Sequence, residues 1–123
     1  MRLSFSLLAI ATMIGTAGAA DKPFSLASQG SFFVGGRDIK SETLSVRANS
    51  GGTVTVDQVY VRYQIPAKTG KHRPLTFIHG CCLTGKTWES TPDGRMGWDE
   101  FFLRQGHAVY VLDQAGRGRS ALD

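Results

Sequence analysis

The chain has 123 residues, of which 41% are hydrophobic, and it carries a formal net charge of +4. This composition is that of an ordinary globular protein and argues against a disordered or low-complexity chain. The basic residues are scattered, and no run of them is interleaved with aromatic residues, so we expect a soluble surface rather than a nucleic-acid interface.

The first 20 residues have the three-part layout of a secretory signal peptide. Arg2 supplies a positive charge, residues 3–14 are almost wholly apolar or small, and the segment that follows ends in the small residues that signal peptidase accepts. The alternative is an uncleaved membrane anchor, but the apolar run is shorter than the ~20 residues of a spanning helix. We therefore expect cleavage after Ala19 or Ala20, secretion or release to the periplasm, no membrane association afterwards, and one small domain over residues 21–123.

The first part of this domain predicts strands that lead into a sheet. Ser31–Val34 is a short apolar strand candidate that ends at Gly35, and the mostly polar residues 37–52 fit a loop or an irregular hairpin. Thr53–Ile65 alternates between apolar and polar residues, but the alternation changes phase at Asp57, which predicts a bulge or a bend. A basic turn over residues 66–73 follows.

The second part predicts a strand, a helix and a strand. Leu75–Ile78 and Ala108–Leu112 are short apolar strand candidates. Between them, aromatic residues recur at helical spacing and Gly106 is placed to end the helix; these aromatic residues are Trp98, Phe101 and Phe102. We expect them, with Trp88, to serve in core or helix packing rather than in substrate contacts. A βαβ unit makes its two strands parallel, so the sequence predicts an α/β fold with an antiparallel lead-in.

The segment FIHGCCLTGKTW, residues 77–88, allows two chemical interpretations. Gly80–Thr87 fits the phosphate-binding pattern G-x-x-x-x-G-K-T, and Asp113 after the last strand fits the metal-binding acid of a nucleotide hydrolase. That pattern needs a helix that starts at Lys86. Only three residues separate Thr87 from the strong turn signal at residues 91–94, so the nucleotide interpretation is weak.

The second interpretation is the oxyanion turn of an ester hydrolase. Ester hydrolysis builds negative charge on the carbonyl oxygen, and fixed N–H donors must meet that charge. A turn at His79 and Gly80, at the end of a central strand, lets the backbone of the following residues supply such a donor. The first of those residues is Cys81.

Cys81 and Cys82 are the only cysteines, and they are adjacent in a chain that we expect to be exported. Neighbouring Cα atoms are about 3.8 Å apart, below the ~4.4 Å lower edge for ordinary disulfides. A bond between these residues would therefore close a small, strained ring, and we favour it because such strain persists at functional sites. Two reduced, buried thiols and an intermolecular bridge are the alternatives. A zinc site is a poor alternative to the disulfide, because His79 is the only further ligand nearby in the sequence.

Several segments resemble the secreted bacterial α/β-hydrolase esterases that carry adjacent cysteines in the oxyanion hole. The resemblance is specific and spans nearly all of residues 21–123; its segments are 32–37, 56–58, 79–89, 91–98 and 113–120. It implies that Cys81 and Cys82 form a disulfide and that their backbone amides stabilise the oxyanion. It also implies a small carboxylester substrate and no metal or organic cofactor.

The chain departs from that family in one respect. Such hydrolases use Ser, then Asp or Glu, then His, with the serine in a G-x-S-x-G elbow on a later strand, and no such elbow occurs in these 123 residues. Ser120 is followed by Ala121 and does not fit the elbow. We therefore expect the N-terminal part of an α/β-hydrolase domain with an incomplete sheet, inactive without its nucleophile and triad acid and base. A non-catalytic exported remnant or binding protein is the alternative function, and the oligomeric state is left open.

The remaining polar candidates have structural interpretations. We expect His79 to shape the turn, His107 to lie at a helix end or on the surface, and His72 to belong to the basic turn. Asp113 is expected to accept hydrogen bonds from the loop of residues 116–118.

Overall fold

The structure is a computed structural model that describes residues 22–42 and 51–121. The predicted signal peptide and residues 43–50 of the polar segment lie outside these residues. The described part contains four strands, one α-helix and two short 3₁₀ turns: β1 (Leu26–Ser41), β2 (Gly52–Pro66), β3 (Leu75–Ile78), a 3₁₀ turn (Gly85–Trp88), α1 (Trp98–Arg104), β4 (Val109–Asp113) and a second 3₁₀ turn (Gly118–Ser120).

The strands form one mixed sheet in the order β1-β2-β4-β3. The β1–β2 and β2–β4 pairs are antiparallel, whereas β3 and β4 are parallel and are connected through α1. The expected antiparallel lead-in and βαβ unit are both confirmed. The arrangement brings the carboxyl ends of β3 and β4 to the same edge of the sheet.

The first strand is much longer than the sequence predicts. It continues through Gly35 and pairs with β2 as far as Ser41 opposite Gly52, so the expected loop over residues 37–41 is wrong, while a hairpin is correct. The reason is that ladder pairing uses backbone groups and does not need apolar side chains. The expected irregularity in β2 is a bend, because Asp57 has a φ of +59° while the pairing register continues unshifted on both sides.

Helix α1 begins and ends where its sequence signals place it. Gly106 follows the helix with a φ of +89°, and its N–H donates to the carbonyl oxygen of Leu103 at 2.9 Å. Leu103 is 2% exposed and packs with Val109 and Val111 of β4 in the core of the described residues. This contact fixes the helix on the sheet.

Two of the four aromatic residues pack against the core, and the other two contact aromatic rings while staying largely exposed. Phe102 and Trp88 pack against the core, and the ring of Trp88 lies 5.3 Å from that of Phe77. Trp98 is 62% exposed and Phe101 is 51% exposed. The physical reason is that α1 buries Asp99 and Leu103. Trp98 meets only the edge of the described part, where its ring lies 5.6 Å from that of Trp88.

Candidate functional site

The candidate site is the turn that follows β3. Strand β3 ends at Ile78, opposite Leu112 of β4, so residues 79–82 lie just beyond the carboxyl end of a parallel strand pair. Open α/β sheets bind their ligands outside the carboxyl ends of their strands. The segment that the sequence singles out therefore lies at the edge of the sheet where a ligand is expected.

The turn itself exposes two backbone donors. The N–H of Leu83 donates to the carbonyl oxygen of Gly80 at 3.3 Å, and Cys82 has a φ of +64°, as the third residue of a type II turn requires. This φ costs a non-glycine residue roughly 1–2 kcal/mol. Within the described part of the chain, the N–H groups of Cys81 and Cys82 have no acceptor. They are thus available to a bound group.

His79 is buried beneath the turn and is held by Gln114. The backbone N–H of Gln114 donates to His79 Nε2 at 3.1 Å, and the Gln114 side-chain amide donates to the carbonyl oxygen of His79 at 2.8 Å. Since Nε2 accepts, the ring hydrogen resides on Nδ1, which donates to the carbonyl oxygen of Gly80 at 2.9 Å. Both ring nitrogens are occupied, so His79 shapes the turn in this geometry and has no nitrogen left to act as a base.

Asp113 is buried behind the turn, with 1% of its surface exposed. It accepts hydrogen bonds from the N–H of Gly85 at 2.6 Å, from the N–H of Arg119 at 2.9 Å and from Arg119 Nε at 2.7 Å. The expected bonds from residues 116–118 are therefore wrong: the donors are the residue after that loop and the start of the first 3₁₀ turn. Burial alone would raise the pKa of Asp113, but these hydrogen bonds outweigh it and hold the pKa below its ordinary value.

The two cysteine side chains are exposed, and their Sγ atoms lie 3.0 Å apart without a bond between them. The alternative of two reduced, buried thiols does not fit this exposure. The disulfide between Cys81 and Cys82 stays a prediction.

Ser120 lies in the second 3₁₀ turn and is 7% exposed. Its hydroxyl accepts the N–H of Tyr60 and donates to the carbonyl oxygen of Asp113, both at 2.6 Å. These bonds use the hydroxyl to join β2 to the end of β4. They are the contacts of a structural serine rather than of a nucleophile.

The segment after Lys86 forms only the 3₁₀ turn of residues 85–88, as the nearby turn signal predicts. Thr84 caps it by accepting the N–H of Lys86, while Lys86 Nζ donates to the carbonyl oxygen of Ser90 at 2.7 Å. One turn of 3₁₀ helix is a poor substitute for the helix that a phosphate-binding loop requires.

The other two histidines lie away from this turn. His72 stacks on His107 at 4.6 Å, and His107 Nδ1 lies 2.9 Å from the carbonyl oxygen of Arg73, near the amino ends of β3 and β4. Among residues 22–42 and 51–121, no three His, Cys, Asp or Glu side chains converge as metal ligands. The helix found there is too short to cross a membrane.

Gln114 contacts the turn, and the sequence analysis assigns it no role of its own. A signal for it exists in the topology. The residues that follow two neighbouring parallel strands meet at one edge of the sheet, so the residue after β4 is expected to contact the residue after β3.

A mixed sheet with a parallel βαβ pair and an open turn at its carboxyl edge is consistent with part of an α/β-hydrolase-like fold. A solved structure described as a novel bacterial esterase matches 83% of this chain with 66% sequence identity and a TM-score of 0.74. A probable secreted lipase, phiG, of Fungal sp. (strain ATCC 74256) is 43% identical over 84 residues, which are 68% of this chain. No protein-family model matches.

The chain spans only part of these two proteins, 32% of the esterase chain and 23% of the lipase. At the level of the family, the similarities are to esterases and lipases, and they support a hydrolase function.

Proposed function

We propose that this chain is the N-terminal part of a secreted or periplasmic carboxylester hydrolase of the serine-nucleophile α/β-hydrolase type, and that it supplies the oxyanion hole. The observation that carries the proposal is that the N–H groups of Cys81 and Cys82 have no acceptor among residues 22–42 and 51–121. They lie in a turn with a positive φ at the carboxyl edge of the sheet. The 66% identity with a bacterial esterase over most of the chain supports the same assignment.

The chemistry follows from that placement. A serine hydroxyl adds to the ester carbonyl while its proton passes to a histidine, and the carbonyl oxygen becomes an oxyanion. The N–H groups of Cys81 and Cys82 then donate to this oxygen. Removing one such donor costs about 10²–10³ in kcat in a well-studied protease. A disulfide between the two cysteines would stiffen the peptide that carries the donors.

A cleft beside the turn offers room for a small ester. Its lining combines apolar and polar side chains, including Cys82, Leu83, Thr84 and Pro92. Leu83 is 48% exposed and provides an apolar contact next to the donors. No metal or organic cofactor is needed for this chemistry, and the natural substrate in this proposal is a small-molecule ester.

The nucleophile and the triad acid and base are proposed to lie beyond residue 123. The lengths of the esterase and the lipase support this, because this chain spans a third or less of each. The geometry of Ser120 supports it as well, because its hydroxyl is buried and occupied.

A covalent label tests the assignment. The protein expressed from its full reading frame is treated with a fluorophosphonate, which reacts with activated serines, and the labelled peptide is identified by mass spectrometry. We expect one labelled serine beyond residue 123 and the same labelling in Ser120→Ala. Labelling of Ser120 itself would overturn the proposal, and a protein that takes up no label would instead be the non-catalytic exported form.

A further inference from the structure

Two consecutive residues at the end of β4, Asp113 and Gln114, hold both ends of the segment that carries the two candidate donors. We propose that they act as positioning residues, a two-point clamp that fixes the N–H groups of Cys81 and Cys82 for the oxyanion. This inference rests on the proposed function, because it assigns the clamp to the oxyanion hole of that same site.

The first anchor is at the start of the segment. Gln114 contacts His79 twice, through its backbone N–H to Nε2 at 3.1 Å and through its side-chain amide to the carbonyl oxygen at 2.8 Å. The His79 ring in turn holds the Gly80 carbonyl oxygen, because its Nδ1 donates to that oxygen at 2.9 Å. The orientation of the peptide just before Cys81 is therefore set by Gln114.

The second anchor is at the end of the segment. Asp113 Oδ1 accepts the N–H of Gly85 at 2.6 Å, and Arg119 holds the other carboxylate oxygen. Gly85 lies so close to β4 that a Cβ on it would be 2.8 Å from Asp113 Oδ1. The first 3₁₀ turn can approach the strand this closely only because residue 85 is glycine.

Between the two anchors, the segment is weakly held. Its internal backbone bond, from Leu83 to Gly80, is long at 3.3 Å, and Cys82 has an unfavourable positive φ. Strained backbone persists only when surrounding contacts over-determine it. The clamp provides those contacts from outside the turn, and the donors can then be in place before substrate arrives, as oxyanion stabilisation requires.

A substitution at Gln114 separates the positioning of the two N–H donors from the general stability of the fold. This residue is exposed, so its side chain contributes little to a core, yet its amide is directed at the carbonyl oxygen of His79. Gln114→Glu keeps the size of the side chain but replaces the donor with an oxygen that faces another oxygen. The matched control is Gln64→Glu, which removes the amide donor of a long 3.4 Å bond to Gln29 in the β1–β2 pair.

The kinetic test uses the protein expressed from its full reading frame and a short-chain nitrophenyl ester. We expect Gln114→Glu to lower kcat roughly ten- to a hundredfold, the range that follows from a small misplacement of catalytic groups, with KM within about twofold and an unchanged Tm. Gln64→Glu should retain the parent kcat. An unchanged kcat in Gln114→Glu would overturn the clamp.

A second readout does not depend on activity. We expect the ¹⁵N order parameters of the Cys81 and Cys82 amides to fall in Gln114→Glu and to stay at the parent values in Gln64→Glu. If the parent protein hydrolyses no ester, the proposed function fails, and these amide signals still decide whether the clamp exists. Unchanged amide signals would refute the clamp while leaving the proposed function intact.

Discussion

At the scale of single residues, the carboxylate of Asp113 makes stability depend on pH. Its pKa in the folded protein lies below the ordinary value of 3.8, because the hydrogen bonds from Arg119 and Gly85 outweigh the effect of burial. A depressed folded pKa stabilises the protein at pH values above the unfolded pKa, and this contribution is lost as the pH falls through the folded value.

The substitution that tests this pH dependence is Asp113→Asn, in the protein expressed from its full reading frame. The amide keeps an acceptor for Gly85 but turns donors toward Arg119, so we expect the free energy of unfolding at pH 7 to fall by about 1–3 kcal/mol. Urea unfolding from pH 7 down to pH 3 is the measurement. The difference between parent and variant should shrink below about pH 4, and a difference independent of pH would contradict the role assigned to this carboxylate.

The redox state of Cys81 and Cys82 is a second prediction at this scale. Their Sγ atoms are 3.0 Å apart and exposed, and no other thiol occurs in these 123 residues. We expect an intramolecular disulfide in the exported, oxidised protein. Mass measurement of the peptide that carries both residues should show a gain of two hydrogens on reduction. Rapid alkylation of both thiols in the native, oxidised protein would speak against the bond.

At the scale of elements, the first 3₁₀ turn decides between the two chemical interpretations of residues 77–88. Lys86 donates to Ser90 and begins no α-helix, so no helix N-terminus is present to receive a phosphate. We expect no saturable binding of ATP with magnesium in a calorimetric titration, and Lys86→Ala should leave the titration curve unchanged. Binding that disappears with Lys86→Ala would restore the nucleotide interpretation.

The start of α1 depends on a glycine that approaches another backbone. A Cβ on Gly97 would collide with backbone atoms of Trp88 and Glu89, whereas a Cβ on Gly94 would meet nothing within 4 Å. Gly94 has a φ of +83°, so Gly94→Ala carries a conformational cost of about 1–2 kcal/mol.

We therefore expect Gly97→Ala to lower Tm more than Gly94→Ala does, because backbone atoms cannot move aside as side chains can. Thermal unfolding of both variants, expressed from the full reading frame, is the measurement. Equal Tm values would contradict this expectation, because they would show that Gly97 can move away from the backbone of Trp88 and Glu89 without loss of stability.

The elements also show what the sequence was able to predict. Strand β3, the helix α1 and the parallel pair were predictable, because short apolar runs, helical spacing and Gly106 are local signals. The polar half of β1 was not, because its pairing with β2 depends on backbone groups that every residue carries.

The same division applies to the candidate site. The location of the turn at His79 was predictable from its motif and from the strand before it. Its clamp is not encoded in any local motif, because the contacts of Gln114 with His79 and of Asp113 with Gly85 arise from the parallel pairing of β3 with β4.

At the scale of the whole molecule, the described residues bury little apolar surface. Four hydrophobic side chains among these residues are buried: Val61, Leu103, Val109 and Val111. Larger ones are exposed, including Phe33 at 51%, Ile78 at 56% and Trp98 at 62%. Ile78 also lies in β3, which pairs with β4 alone among the described strands. Exposed apolar faces and open strand edges favour aggregation, so residues 21–123 alone are expected to be poorly soluble.

We propose above all that this chain supplies the oxyanion hole of an ester hydrolase whose nucleophile lies further along. The most direct measurement is the release of nitrophenol from a short-chain nitrophenyl ester by the protein expressed from its full reading frame, beside purified, oxidised residues 21–123. We predict turnover at an enzymatic rate by the first and not by the second. An oxyanion hole without nucleophile and base retains some catalysis only where a complete fold still binds the substrate. Turnover by residues 21–123 that disappears on Ser120→Ala, or a full-length protein without turnover, would contradict the account.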